Sequence, residues 1–270
     1  MNLRLILIFN YILLAESIIL FEGSLNFNYT NTLFLNFPLE NFTIVQLTMI
    51  FSSLPLASAV FAVWNILNTN RISRFGGAIF FIISVFTSYE FIGRTYHNLH
   101  GLIYASIFLL FLKKRDLLEV NNRSLKILRL IQASILSTYF CAGLAKMQNL
   151  ILNKVYSIDL LALPLDYIVY AQVQASWKSK MIPELLKYTE FKYIAAICYF
   201  FVLLFELTSF LPVLIPKYMK IFGFFIIFFH LLNTVAMGIS FVPAPFVALL
   251  FLVTAEQSLD SEPLNKNKLR

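Results

Sequence analysis

Charge is what this sequence has least of. Asp, Glu, Lys and Arg make up 13% of its 270 residues, about half the share of a soluble domain. That excludes an ordinary water-soluble globule. Cysteine is nearly missing too. Cys141 and Cys198 both fall inside apolar runs, which excludes a disulfide framework, and no Cys-x-x-Cys or Cys/His spacing suggests a metal site. Lys and Arg are absent from residues 22–41, as suits a loop outside the cytoplasm. No inverted repeat and no pair of Gly/Pro-broken spans is visible, so nothing supports a transporter. What is abundant is apolar: 59% hydrophobic residues with 29 Phe and 13 Tyr, and a mean hydropathy of +0.77. The partner this composition implies is a lipid bilayer. The +7 net charge fits the positive-inside rule rather than nucleic acid, for which no partner role is expected.

The predicted fold is all-α, a polytopic integral membrane bundle of about eight transmembrane helices. Residues 1–254 form the bundle and 255–270 a polar cytoplasmic tail expected to be disordered. Spans are predicted at 3–21, 43–67 (kinked at Pro55), 75–93, 98–112, 127–145, 193–215, 218–240 and 243–254. The first is long for a signal peptide and no small-residue cleavage site follows it, so it reads as an uncleaved anchor. Asn28 and Asn41 begin formal glycosylation sequons in the loop after it. Arg71 and Arg74 are placed in a short loop. Residues 157–173, broken by Asp159, Pro164 and Asp166, read as a re-entrant or interfacial helix, and a short surface helix is expected to start at Pro183. With both termini in the cytoplasm, fourteen of the 21 Lys and Arg fall inside and seven outside, so that orientation is favoured.

The polar residues then gather on the outer half. Glu90, Arg94 and His97 are spaced four and three, one helix face if the third span extends that far. His100 and Tyr104 share a face of the fourth span, and His230 with Asn233 one of the seventh. Lys146 closes the fifth span, with Ala142 and Gly143 just before it allowing a close helix approach. One outward-opening pocket could collect these side chains. Each has a plainer role: Lys146 snorkelling to the headgroups, Glu90 and Arg94 as a helix-end ion pair, His97 as a solvated corner residue. For Glu206 and His230 the plain role is a neutral side chain bonded to a neighbouring helix, yet an ionisable group inside a span is a functional candidate by default.

Three segments occur in order: Asn98-Leu99-His100-Gly101-Leu102-Ile103-Tyr104, Tyr139-Phe140-Cys141-Ala142-Gly143-Leu144-Ala145-Lys146-Met147, and His230-Leu231-Leu232-Asn233 with Met237-Gly238-Ile239-Ser240-Phe241. Together they resemble the membrane part of vitamin K-dependent gamma-carboxylase and the bacterial HTTM (horizontally transferred transmembrane) domain proteins related to it, over residues 75–254. The resemblance implies Lys146 as the base that deprotonates a reduced, vitamin K-like quinone, with His100 as its catalytic partner and no metal. The pocket residues are then Arg94, His97 and Glu206, read from spacing and position, with Asn98, Tyr104, Tyr139, His230 and Asn233 from the motifs. The partners implied are a membrane quinol and a secreted peptide substrate. Two features depart from the carboxylase pattern. The Trp and Gly that commonly follow the lysine are missing from residues 147–152, and the sequence ends 16 residues after Thr254, where the carboxylase continues into a soluble domain. Glutamyl carboxylation itself is therefore not carried over. The alternative, from another class, is a non-enzymatic membrane partner in maturation or export of a secreted peptide.

Overall fold

A computed structural model describes residues 3–25, 44–68, 70–92, 99–113, 121–156, 189–237 and 243–255. Among these the chain is helical and contains no strand. Four helical stretches among the described residues are long and apolar enough to cross a membrane: Arg4–Glu22, Thr48–Leu67, Asn122–Gln148 and Ala196–Leu214. The chain forms two compact units, Met1–Ile131 with Thr254–Arg270, and Gln132–Val253.

In the first unit, α1 (Leu3–Leu25), α2 (Ile44–Leu67) and α3 (Arg71–Ile92) pack on one another. Among the buried residues of α1, Ile6, Asn10, Leu13, Ser17, Leu20 and Ser24 are alternately four and three apart. That spacing is a single helical seam. Its small and polar members meet matching ones on α2: Asn65 Nδ2 donates to Asn10 Oδ1 at 2.7 Å and Ser17 Oγ to Ser58 Oγ at 2.9 Å. As the position rises on α1 it falls on α2, so the two run antiparallel. Ser73 Oγ extends the network from α3 to Asn65 Oδ1 at 3.2 Å. Without water between helices, such bonds and close small-residue contacts take the place of hydrophobic association. α2 runs on through Pro55.

Two expectations are corrected here. Arg71 and Arg74 do not sit in a loop, because α3 begins at Arg71. Asn70 Oδ1 accepts the Ser73 amide at 2.8 Å as a helix cap. The Arg74 side chain is buried and its fork donates to the carbonyls of Leu109 at 2.8 Å and Leu112 at 2.9 Å. The second correction concerns the helix that Arg74 reaches. α4 covers only His100–Leu109, ten residues, about half the bilayer core at 1.5 Å per residue. It tightens into i to i−3 bonds at Leu110, Phe111 and Leu112, and Arg123 of the next helix takes the Phe111 carbonyl at 2.7 Å. Two arginines thus donate to the Leu109, Phe111 and Leu112 carbonyls at this helix end, where Leu109 also accepts the Leu112 amide.

α5 (Asn122–Tyr156) starts at an asparagine cap, Asn121 Oδ1 accepting the Ser124 amide at 2.9 Å, and runs 35 residues. That is about 52 Å, and it also overturns an expectation: Lys146 does not end the helix. Nothing after it breaks a helix, and the run Met147-Gln148-Asn149-Leu150-Ile151-Leu152 continues it. In the second unit, α6 (Thr189–Thr208) stops earlier than the apolar run suggests. Pro212 and Pro216 force the break. A short α7 (Leu211–Leu214) and a 3-10 turn at Pro216–Tyr218 lead into α8 (Met219–Met237). α9 (Pro243–Ala248) passes into a π-helical turn, Leu249–Thr254. Gly223 of α8 lies against that turn, and a Cβ there would come within 2.7 Å of Val253 Cγ2 and 2.9 Å of Leu252 Cβ.

Candidate functional site

The inner face of α5 carries one seam through the second unit: Gln132, Leu136, Tyr139, Gly143 and Lys146, again four and three apart. Each position makes a defined contact with another helix. Gln132 is fully buried, and its Nε2 donates to the Phe251 carbonyl in the π-helical turn at 2.8 Å. The Leu136 carbonyl accepts from Ser209 Oγ at 3.0 Å, which ties the end of α6 to α5. Tyr139 Oη lies 2.7 Å from His230 Nε2 on α8, and the two rings meet edge-on at 5.8 Å.

One turn further along, Gly143 touches α6 directly. A Cβ at this position would sit 2.9 Å from Glu206 Cβ and 2.9 Å from the Leu207 backbone nitrogen. Only glycine allows so close an approach, as expected from the Ala142-Gly143 pair. Lys146 follows. Its Nζ donates to Glu206 Oε1 at 2.5 Å, with Lys146 9% and Glu206 3% exposed. A lysine so enclosed is committed to a carboxylate on the facing helix, in contrast to the extended, exposed side chain that snorkelling calls for. Glu206 Oε2 is buried and makes no hydrogen bond among the described residues.

Lys146, Tyr139, Glu206 and His230 are thus brought together in one unit. Asn233, one turn beyond His230, is half-buried. His100 and Tyr104 belong to the other unit, where they are half-buried and their rings lie 6.4 Å apart. Arg94, His97 and Asn98 lie outside the described residues, as do residues 157–173, the short helix expected at Pro183, both sequons and most of the tail.

One contact along this seam was not anticipated from the sequence. Gln132 lies fourteen residues before Lys146, four helical turns on the same face, and that spacing was the available signal. In the other unit, Glu16 is buried in the middle of α1. No protein-family model, no curated protein and no solved structure matches the chain.

Chemically, the site offers a buried lysine–carboxylate pair with one carboxylate oxygen open to a donor, beside a tyrosine–histidine pair. Such a pair can hold and move a proton at low cost in net charge. Glu206 Oε2, buried without a hydrogen bond among the described residues, is an acceptor left for a hydroxyl or N–H donor.

Proposed function

We propose that this is a multi-pass membrane protein of about eight spans, with both termini in the cytoplasm, related to the HTTM and gamma-carboxylase proteins. Its work is base chemistry on a hydroxyl-bearing apolar molecule, of the reduced-quinone class, at the Lys146–Glu206 pair on the outer half of the bundle. The observation that carries the reading is that pair: Lys146, the residue the motif singles out, is buried and bonded to an intramembrane glutamate. A reduced quinone fits the donor set, because Glu206 Oε2 is an acceptor awaiting a hydroxyl, with Tyr139 and His230 along the same seam. When bound, the quinol would supply a weakly acidic hydroxyl in a water-poor setting. The protein's residues hold that group and exclude water.

The test is mass spectrometry of lipophilic molecules that co-purify with the intact protein. A quinone-class molecule, in either redox state, should accompany the wild type and be lost from Lys146→Ala. Co-purification of ordinary phospholipids alone would overturn the reading.

A further inference from the structure

We infer that Glu206, rather than Lys146, is the proton acceptor of this site, and that Lys146 is the positioning residue that keeps it charged. The inference rests on the reading of the site as one of base chemistry and names the atom that does the work.

The two carboxylate oxygens are used differently. Oε1 receives the Lys146 ammonium at 2.5 Å. Oε2, equally enclosed, has no hydrogen bond among the described residues. A buried acceptor left open is costly, and here it belongs to a residue only 3% exposed. Lys146 Nζ, by contrast, is already committed as a donor. For its nitrogen to act as a base, it would first have to hand its proton to Glu206 and abandon the ion pair.

Charge is conserved when Oε2 is the acceptor. Before transfer the site holds one ammonium and one carboxylate. When Oε2 takes the proton, the ligand's O–H bond breaks, an Oε2–H bond forms and the electron pair stays on the ligand oxygen. The ammonium then faces the ligand's charge in place of the carboxylate's. The site is net neutral in both states, so no uncompensated charge is left in a low-dielectric interior. No oxidant or reductant is consumed in this step.

Leu144 and Met147 on α5 and Leu204 on α6 are exposed apolar side chains on other faces than the buried pair, as expected of helices that meet acyl chains. An anion would be repelled by Oε2, and a cation would compete with Lys146. What remains is a neutral, apolar molecule bearing an acidic hydroxyl, most simply an aromatic one.

The experiment is infrared difference spectroscopy on the full chain in lipid nanodiscs, isotopically labelled at the glutamate side-chain carboxyl, on anaerobic addition of menadiol. The expected result is a new C=O stretch of a protonated carboxyl, sensitive to the label, in the wild type and in Lys146→Arg, which keeps the cation. Glu206→Gln should lack the band and bind menadiol at least about tenfold more weakly. Glu206→Asp guards against a misfolded Gln variant: the band should persist at a shifted position, and an unshifted band would assign it to another residue and overturn the inference. Menadiol binding without any carboxyl band would also overturn it, while leaving the site's reading intact. Failure of menadiol to bind the wild type would overturn that reading and the inference with it.

Discussion

Gly143 sets how near α5 and α6 come, and so whether a lysine on one can reach a glutamate on the other. A methyl group there meets backbone on the facing helix, the Leu207 nitrogen at 2.9 Å and the Glu206 carbonyl carbon at 3.1 Å. Backbone cannot rotate aside as a side chain can, so the helices must part. Gly143→Ala should therefore lower stability by about 1–3 kcal/mol and loosen the Lys146–Glu206 bond. Gly77 of α3 is the internal control. A Cβ there would meet its nearest neighbour, Phe61 Cβ, at an ordinary 3.6 Å. Gly77→Ala should be neutral, or stabilising by up to about 1 kcal/mol through helix propensity. Thermal unfolding of both variants in the same detergent checks the contrast, and equal melting temperatures would contradict it.

At the scale of elements, several helix ends are held by partners from other helices. α4 ends at Leu109 although the apolar run continues to Leu112, and arginine side chains donate to the carbonyls at that end. Arg74 serves two of these with one planar fork. Lysine, with a compact ammonium, reproduces that geometry poorly. Arg74→Lys should cost about 1–3 kcal/mol, the penalty of a buried polar group left open. Hydrogen exchange should quicken at the C-terminal end of α4 while the amides of α1 keep their protection. Unchanged exchange at residues 107–112 would show that the fork is dispensable. Gln132 plays the comparable part for the π-helical turn, whose Phe251 carbonyl it satisfies from α5.

At the scale of the whole molecule, the proposal fixes which ends of the helices face which compartment. In a background with Cys141 and Cys198 replaced by alanine, a cysteine introduced at Gln148 should react with an impermeant thiol reagent in intact cells. Cysteines at Asn121 and Lys217 should react only after permeabilisation. The basis is the excess of Lys and Arg on the proposed inner side. Labelling at Asn121 and Lys217 with protection at Gln148 would invert the protein and put the Lys146–Glu206 pair on the cytoplasmic half.

The sequence by itself determined the material and the pattern. Scarce charge and long apolar runs made the chain helical and suited to a bilayer. The spacing of Tyr139, Gly143 and Lys146 placed all three on one face of one helix. Glu206 and His230 stood out because ionisable groups are costly within a span. The tertiary structure alone decided who meets whom. That Lys146 lies at Glu206 and Tyr139 at His230 depends on the register between helices far apart in the chain, and no periodicity within a single segment records that register. Helix ends mix the two: α5 runs past the lysine because nothing local breaks it, while the end of α4 receives donors from Arg74 and Arg123. A helix face is a local property of sequence, whereas a hydrogen bond across helices needs two backbones brought to the right distance.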